Sequence, residues 1–380
     1  MSTLYDDPAP APLSTADYAD LARAELPPDV WDWLDGGAER ERTMAANRAA
    51  LDRIALTPRV LADVSTCDTS THLLGRSFRS PVAVAPMAYQ RLFHPAGETA
   101  VARAAAVAGI PHIVSTLTST PLEDLTSTGA DTWFQLYWLR DRSSVLRLIR
   151  RAEEAGCGAL VVTVDVPVMG RRLRDLEHAF ALPPHVRAVL LDAHSDRAHR
   201  GTAGVSAVAE HTAETFSSSV TWDDLAWLIG QTRLPVLVKG VLHPDDALRA
   251  AETGAAGVIV SNHGGRQLDG AVSTAEALPA VAAHLTAHGA TDCLVLADSG
   301  VRHGSDVLSL LALGASAVLI GRPVLWGLAA AGEQGCADVL GLLCTEFRHA
   351  MTLAGCPDLD AVSRLRVSTA PCPPSLGAHP

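Results

Sequence analysis

The stretch GVIVSNHGGRQLDG, residues 257–270, decides both the fold and the chemistry of this chain. It begins with a short β-branched apolar run, Gly257 to Val260, of the kind that forms a buried strand. Polar residues follow at once, with two glycines that allow the backbone to turn sharply. His263 and Arg266 lie three residues apart across those glycines, so an imidazole and a guanidinium can converge on one small anion. The stretch predicts a strand that ends in catalytic residues, although an isolated pair of this kind more often points into water.

Seven further apolar runs give the chain, from Pro81 onward, a regular alternation of strands and helices. Most are separated by Ala-rich amphipathic stretches, such as GETAVARAAAVAG, that have a helical period and end near a glycine. Eight strand–helix units in one domain predict an α/β fold, a (β/α)8 TIM barrel, with a doubly wound sheet as the alternative. The eight predicted strands are Val82–Pro86, His112–Thr116, Thr132–Tyr137, Ala159–Asp165, Pro235–Gly240, Gly257–His263, Cys293–Gly300 and Ala317–Pro323.

The segments outside these units predict how the domain is completed. Residues 1–13 and 367–380 are Pro-rich and lack periodicity, so we expect disordered tails around one barrel domain, 14–366. The aromatic cluster at Trp33 precedes a helical pattern and predicts an N-terminal helical cap. About seventy residues separate the fourth and fifth strands, far more than a strand–helix connection needs. We expect a long lid insertion after strand 4, with about 183–220 as a mobile lid; a surface ornament is the alternative.

The composition disfavours several classes of function. With 380 residues, 48% of them hydrophobic, the chain can bury a large core. The net charge of −12 and the absence of Lys/Arg-rich runs disfavour a nucleic-acid or anionic-membrane partner. No signal peptide or membrane-spanning run is predicted. Seven cysteines without CxxC spacing are a poor disulfide framework, so we expect a cytoplasmic protein, and we predict no metal site.

A barrel places its active site at the carboxyl ends of the strands, where the loops begin. Taken singly, each polar residue there has a structural alternative: Asp165 could cap a helix, Tyr137 could be a core tyrosine and Lys239 could reach the rim. Because every strand turns polar at the same end, together they predict an active site. The strand ends carry Pro86 and Met87, Ser115, Gln135 and Tyr137, Thr163 and Asp165, Lys239, Ser261 and His263, Asp298, and Gly321 and Arg322.

Two sets of groups emerge from these ends. The segment Asp298–Arg302 and the pair Gly321–Arg322 follow the seventh and eighth strands, where barrels commonly bind a phosphate on backbone N–H groups. The other set suits a small carboxylic acid whose carbon is oxidised or deprotonated. It comprises two guanidinium clamps, a hydroxyl donor, a base and a residue that orients the base: Arg172 and Arg266, Tyr137, His263 and Asp165. A phosphorylated cofactor and a small acid are therefore predicted.

SNHGGRQLDG resembles the active-site signature of the FMN-dependent L-2-hydroxy acid oxidase and dehydrogenase family, which includes glycolate oxidase, lactate oxidase and mandelate dehydrogenase. FQLYWLRDR, TVDVPVMGRR and VLVKG support the resemblance, which covers nearly the whole chain after the N-terminal tail. PMAYQRLFHPAGE and PVMGRRLRDLEHAFALPP are most similar to the hydroxymandelate oxidase branch.

The resemblance implies FMN as cofactor and oxidation of an aryl or aliphatic L-2-hydroxy acid to the 2-oxo acid, with O2 reduced to hydrogen peroxide. (S)-Mandelate or (S)-4-hydroxymandelate is the expected substrate, and lactate or glycolate is the alternative. A dehydrogenase, an oxidative decarboxylase, a phosphate-binding isomerase and a non-catalytic barrel stay open, as do hydride transfer and a carbanion route. The resemblance also implies a homotetramer or octamer.

The resemblance further implies a role for each matching residue. His263 would take the proton of the substrate hydroxyl, Tyr137 would contact that hydroxyl, and Asp165 would stabilise the imidazolium. Arg172 and Arg266 would hold the carboxylate. The implied cofactor residues are Lys239, beside the flavin N1 and O2, and Pro86, Met87, Ala88, Ser115, Gln135, Thr163, Ser261, Asp298, Ser299, Gly300, Arg302, Gly321 and Arg322.

Two positions depart from the family pattern. Trp33 stands where the family usually has a tyrosine that hydrogen-bonds the substrate carboxylate, so we expect an apolar wall against an aromatic substrate. Met169 would extend this wall with a pliable side chain. Ser299 stands where the family typically has glycine. If the backbone there has positive φ, serine costs about 1 kcal/mol, and we expect weaker FMN binding.

Overall fold

Three helices and a small antiparallel hairpin precede the barrel. The structure, a computed structural model, describes residues 11–191, 198–199 and 206–369. The first helix follows Ser14, whose hydroxyl accepts a hydrogen bond from Asp17 N and so satisfies one free donor of the first turn. These elements are α1 (Thr15–Glu25), α2 (Pro28–Asp35), α3 (Arg42–Asp52), β1 (Ile54–Thr57), β2 (Thr71–Leu73) and β3 (Arg76–Phe78).

Eight parallel strands close into a barrel, which confirms the predicted TIM barrel over the doubly wound sheet. Each strand pairs with the next along the chain, and the eighth pairs with the first. Side chains alternate, so Ile113, Leu237 and Ile259 fill the barrel interior while their neighbours belong to the larger core. The strands are β4 (Val82–Val84), β5 (His112–Ser115), β6 (Thr132–Tyr137), β7 (Leu160–Thr163), β8 (Val236–Val241), β9 (Gly257–Val260), β10 (Leu294–Ala297) and β11 (Ala317–Ile320).

Helices connect the barrel strands and complete the domain. The longest, α13, bends where Ala331 and Gly332 leave helical geometry. Among the described residues, no helix combines the length and apolar composition needed to cross a bilayer. The helices are α4 (Gly97–Ala108), α5 (Leu122–Thr126), α6 (Arg142–Glu154), α7 (Leu173–Glu177), α8 (Ala207–Thr215), α9 (Trp222–Ile229), α10 (Pro244–Glu252), α11 (Thr274–Ala287), α12 (Gly304–Ala312), α13 (Arg322–Ala354) and α14 (Leu359–Ser363).

The N-terminal helices cover the carboxyl ends of the barrel strands, which confirms the predicted cap. Main-chain carbonyls at the end of α2 accept hydrogen bonds from the guanidinium of Arg266. The side-chain amide of Asn47, on α3, exchanges hydrogen bonds of 2.8 and 2.7 Å with that of Asn262, which follows β9. The cap is therefore attached to the loop after β9, which carries the predicted base.

The long connection between β7 and β8 contains α7, α8 and α9. A bridge between Leu139 and Phe216 attaches it to the segment after β6, and α8 contributes Val208 and Thr212 to the wall of the main pocket. The insertion after strand 4 thus covers part of the barrel mouth. Residues 192–197 and 200–205 of the predicted lid lie outside the described residues, and the mobility of the lid stays a prediction.

One predicted boundary is wrong. Residues 367–369, predicted to begin a disordered tail, belong to β12 (Arg366–Thr369), which pairs antiparallel with β1. The Pro-rich composition begins only at Pro371, and pairing with a strand near the other end of the chain leaves no local signal. The rest of the two predicted tails, apart from residues 11–13, lies outside the described residues.

Candidate active site

The main pocket lies at the carboxyl ends of the barrel strands, where the cap, the insertion and the strand loops meet. All residues predicted to take part in catalysis or to bind cofactor or substrate line this pocket, except Gln135, Asp165 and Ser261. Each of these three hydrogen-bonds a residue that does line it. The predicted residues therefore form one continuous site, and the role of each is a proposal taken up below.

The loop after β9 turns through three consecutive residues with positive φ, His263 (61°), Gly264 (66°) and Gly265 (76°). Glycine adopts this conformation freely, whereas His263 is held in it by its hydrogen bonds. Its Nδ1 lies 3.0 and 3.1 Å from the two carboxylate oxygens of Asp165, and its backbone N–H donates to Ser261 Oγ over 3.0 Å. Because a carboxylate only accepts hydrogen bonds, Nδ1 carries the proton, and Nε2 has the lone pair that a base needs.

Asp165 owes its position to a glycine on the neighbouring strand. Gly240 has a φ of 105°, and a Cβ at that position would lie 2.5 Å from the Asp165 side chain. Burial alone would raise the pKa of Asp165, but His263 and Lys239 outweigh burial and hold the pKa below its usual value. Asp165 is therefore a carboxylate that can stabilise a positive charge on the imidazole.

Lys239, only 4% exposed, begins a hydrogen-bonded chain that links two loops. Its Nζ lies 2.9 Å from Ser261 Oγ and 3.0 Å from Asp298 Oδ2. Burial opposes the charge, but two nearby carboxylates raise the pKa of Lys239, so the ammonium stays protonated. The other oxygen of Asp298 accepts a hydrogen bond from Ser299 Oγ over 2.7 Å, and Ser299 Oγ accepts one from Gly264 N over 3.0 Å.

Ser299 has a φ of 80°, so the backbone strain considered from the sequence is present. The same conformation brings the hydroxyl between Asp298 and the backbone of Gly264. Its two hydrogen bonds offset the strain and connect the loop after β10 to the loop that carries the base.

A neutral polar layer lies behind the pocket wall at β5, β6 and β7. Gln135 Oε1 accepts hydrogen bonds from Ser115 Oγ (3.1 Å) and Thr116 N (3.2 Å). Its Nε2 donates to Thr163 Oγ1 over 3.0 Å. Because these groups satisfy one another, Ser115 and Thr163 present fixed donors and acceptors to a ligand.

Four buried guanidinium groups line the same pocket: Arg172, Arg266, Arg302 and Arg322. Burial lowers the pKa of all four, and repulsion from neighbouring arginines contributes for Arg266, Arg302 and Arg322. The Nε groups of Arg172 and Arg322 are buried without a hydrogen-bond partner among the described residues. Arginine stays protonated in proteins, so an anion bound here would relieve both the desolvation and the repulsion. The pocket is therefore suited to bind anions.

Trp33 lines the pocket, but most of its ring is packed in an aromatic cluster. The ring centroid lies 5.6 Å from Phe180, 5.8 Å from Phe93 and 6.3 Å from Tyr89. Trp33 is only 6% exposed. The predicted apolar wall is therefore a property of the cluster rather than of the indole alone.

Residues that the sequence does not single out complete the apolar wall. Phe216 stacks on Tyr137 with ring centroids 4.7 Å apart, and Val208 and Thr212 lie beside it on the pocket wall. All three come from the insertion, whose weak periodicity carries no signal of which side chains face the barrel. Tyr89 also lines the pocket, and its only signal is its place in PMAYQRLFHPAGE.

The chain is similar to known proteins over nearly its whole length. The family model for FMN-dependent dehydrogenase matches residues 22–369. The chain is 52% identical to a 4-hydroxymandelate oxidase of Amycolatopsis orientalis, over 93% of this chain and 97% of the relative. It is 43% identical to an L-lactate oxidase of a Nostoc species, again over 93% and 97%. A crystal structure of mandelate oxidase with (S)-4-hydroxymandelic acid has a TM-score of 0.91 and 51% identity, covering 94% of this chain and 99% of that chain.

Proposed function

Because the chain belongs to the FMN-dependent dehydrogenase family, we propose that it is an oxidase that converts an L-2-hydroxy acid to the 2-oxo acid. The proposed substrate is (S)-4-hydroxymandelate or (S)-mandelate. The observation that carries the proposal is the hydrogen-bonded pair of His263 and Asp165 beside the buried guanidinium groups of Arg172 and Arg266. A base next to a clamp for the carboxylate is a combination that suits oxidation of a 2-hydroxy acid.

FMN is the cofactor of this family, and the part of the pocket at β10 and β11 fits its phosphate. The long helix α13 begins at Arg322, and a helix N-terminus favours an anion. Arg302 and Arg322 add two buried positive charges, and Arg322 Nε has no partner among the described residues. Bound here, FMN would supply the two-electron oxidation, while the protein supplies position and charge. Lys239 would place a buried, positively charged ammonium beside the bound FMN.

The remaining groups would bind and deprotonate the substrate. Its carboxylate would bind between Arg172 and Arg266, which would satisfy the unpaired Nε of Arg172. His263 would take the hydroxyl proton at Nε2, while Asp165 stabilises the resulting imidazolium. Burial raises the pKa of Tyr137, so its hydroxyl stays a neutral donor to the substrate oxygen.

The apolar wall supports an aryl substrate. Met169, Val208 and Phe216 line the pocket together, and such a surface is apolar and adaptable enough for a ring. An aliphatic acid such as lactate or glycolate is the second candidate, supported by the similarity to the L-lactate oxidase.

The proposal extends to the setting of the reaction. We propose that O2 accepts the electrons to give hydrogen peroxide, in line with the oxidase relatives. On the acidic charge and the family resemblance we propose a cytoplasmic location and no nucleic-acid or membrane partner. We also propose a homotetramer or octamer of chains with one barrel domain each, 14–366.

The test is anaerobic mixing of the FMN-loaded protein with (S)-mandelate, (S)-4-hydroxymandelate, L-lactate and glycolate, while the flavin absorbance at about 450 nm is followed. We expect rapid bleaching by the two aromatic acids and slow bleaching by the aliphatic ones. Bleaching mainly by lactate or glycolate would favour the second candidate, and no bleaching by any of the four would refute both. Equal yields of 2-oxo acid and peroxide on admission of O2 would exclude an oxidative decarboxylase.

A further inference from the structure

Tyr89 is a buried titratable residue to which the reaction described above assigns no role. It follows β4 and is 1% exposed. Its backbone has a φ of 54°, an uncommon conformation for a large side chain. The backbone is held there on both sides, because its N–H donates to Leu117 O over 3.0 Å and its carbonyl accepts from Leu92 N over 2.8 Å. A strained backbone that is held in place at a pocket indicates that the direction of the side chain matters.

The ring of Tyr89 belongs to the aromatic cluster, while the residue also lines the pocket. Its hydrogen bonds among the described residues are the two backbone ones, so the hydroxyl has no partner within the described part of the chain. The Nε1 of Trp33 also has no hydrogen-bond partner among the described residues, but it differs from the Tyr89 hydroxyl because it is fully buried. A phenol hydroxyl that is buried without a hydrogen-bond partner costs free energy, and a ligand in the pocket that bonds this hydroxyl would recover that cost.

Tyr89 packs on Trp33, with ring centroids 6.3 Å apart, and lines the same pocket as Tyr137. Arg172 and Arg266 both influence the pKa of Tyr137, whereas burial and Tyr137 alone raise the pKa of Tyr89. The Tyr89 hydroxyl is therefore a neutral donor and acceptor. A neutral substrate oxygen would match it, whereas an anionic oxygen would bind better to the arginines of the same pocket.

We propose that Tyr89 is a specificity-determining residue whose hydroxyl hydrogen-bonds the ring hydroxyl of a 4-hydroxyaryl substrate. The proposal rests on the proposed function, since it needs the aryl group to lie in this pocket. It assigns to Tyr89 the distinction between 4-hydroxymandelate and mandelate. The carboxylate stays with Arg172 and Arg266, and the α-hydroxyl stays with His263 and Tyr137.

The test compares kcat/KM of the FMN-loaded Tyr89→Phe variant for (S)-4-hydroxymandelate and (S)-mandelate. Phenylalanine keeps the ring and removes only the hydroxyl. We expect the ratio of the two values to fall about tenfold, with the value for mandelate nearly unchanged, as for the loss of one neutral hydrogen bond in a closed site. The matched control is Tyr18→Phe, which removes a hydroxyl that bonds Asp338 on α13 and should leave the ratio unchanged.

A second measurement compares ligand binding and does not depend on turnover. Wild-type protein should bind 4-hydroxybenzoylformate about tenfold more tightly than benzoylformate, as measured by the change in flavin absorbance, and Tyr89→Phe should abolish the difference.

Three outcomes would overturn the assignment. Equal losses for both acids would place Tyr89 at a part of the substrate that they share, such as the carboxylate. An unchanged ratio, with both acids oxidised, would refute the role of Tyr89 alone. A wild-type protein that oxidises neither aromatic acid would refute the proposed aryl substrate, and the role of Tyr89 with it.

Discussion

Replacement of Ser299 separates two opposing effects of this residue on stability. Its φ of 80° costs a non-glycine residue about 1 kcal/mol, which Ser299→Gly would recover. Against this, the 2.7 Å hydrogen bond to the charged Asp298 contributes about 2 kcal/mol, and the 3.0 Å bond from Gly264 N contributes about 1 kcal/mol. We therefore expect Ser299→Gly to lower the free energy of unfolding by about 2 kcal/mol. Ser299→Ala keeps the strain and should lower it by about 3 kcal/mol.

The assay is urea unfolding of the three proteins with and without FMN, together with the Kd for FMN from flavin fluorescence. Ser127→Ala, which removes an exposed hydroxyl that bonds Asp124 O, is the matched control and should change stability by no more than about 0.5 kcal/mol. A glycine variant more stable than the wild type would refute the offset by hydrogen bonds. Tighter FMN binding by that variant would restore the sequence-based expectation that serine weakens the FMN site.

Three further predictions concern the base, its partner and the aromatic wall. His263→Ala should retain FMN yet bleach with substrate several orders of magnitude more slowly in anaerobic stopped flow, and near-normal bleaching would contradict its role as base. His263 and Lys239 hold the pKa of Asp165 low, so the stability that Asp165 contributes is present above about pH 4 and lost as the pH falls through its lowered pKa. Asp165→Asn should make the free energy of unfolding depend less on pH in this acid range, and a curve parallel to that of the wild type would refute this contribution of Asp165. Trp33→Tyr should raise kcat/KM for lactate relative to mandelate, whereas an unchanged ratio would mean that residue 33 does not face the substrate.

The sequence predicts the barrel because each strand is short, apolar and followed by a helical period, and these are local properties. It predicts most of the pocket for the same reason, since polar residues such as Lys239 and Asp298 come directly after apolar runs. The direction in which a side chain points is harder to predict from the sequence. The sequence predicts Trp33 as a wall against the substrate, yet its ring packs mainly on Phe93 and Phe180, which come from distant parts of the chain.

The residues that sequence reasoning misses share a cause. Phe216 and Thr212 face the pocket because the insertion folds back over the barrel mouth, and this depends on tertiary contacts such as the Leu139–Phe216 bridge. Tyr89 reaches the pocket through a positive φ that neither propensity nor hydrophobic period reports. The pairing of β12 with β1 is equally nonlocal.

The N-terminal cap is part of the site because the loop that carries the base depends on it. Gly265 O accepts a hydrogen bond from Ala38 N, and Asn262 is paired with Asn47 of α3. These contacts lie on the C-terminal and N-terminal sides of His263. The cap therefore stabilises the strained turn, in addition to the glycines that allow it. Arg266 in turn donates to the carbonyls at the end of α2, where a positive charge also complements the helix dipole. The geometry of the base therefore depends on the docking of the cap. Substitutions that weaken the packing of α2 or α3 should reduce the rate of flavin reduction before they unfold the barrel.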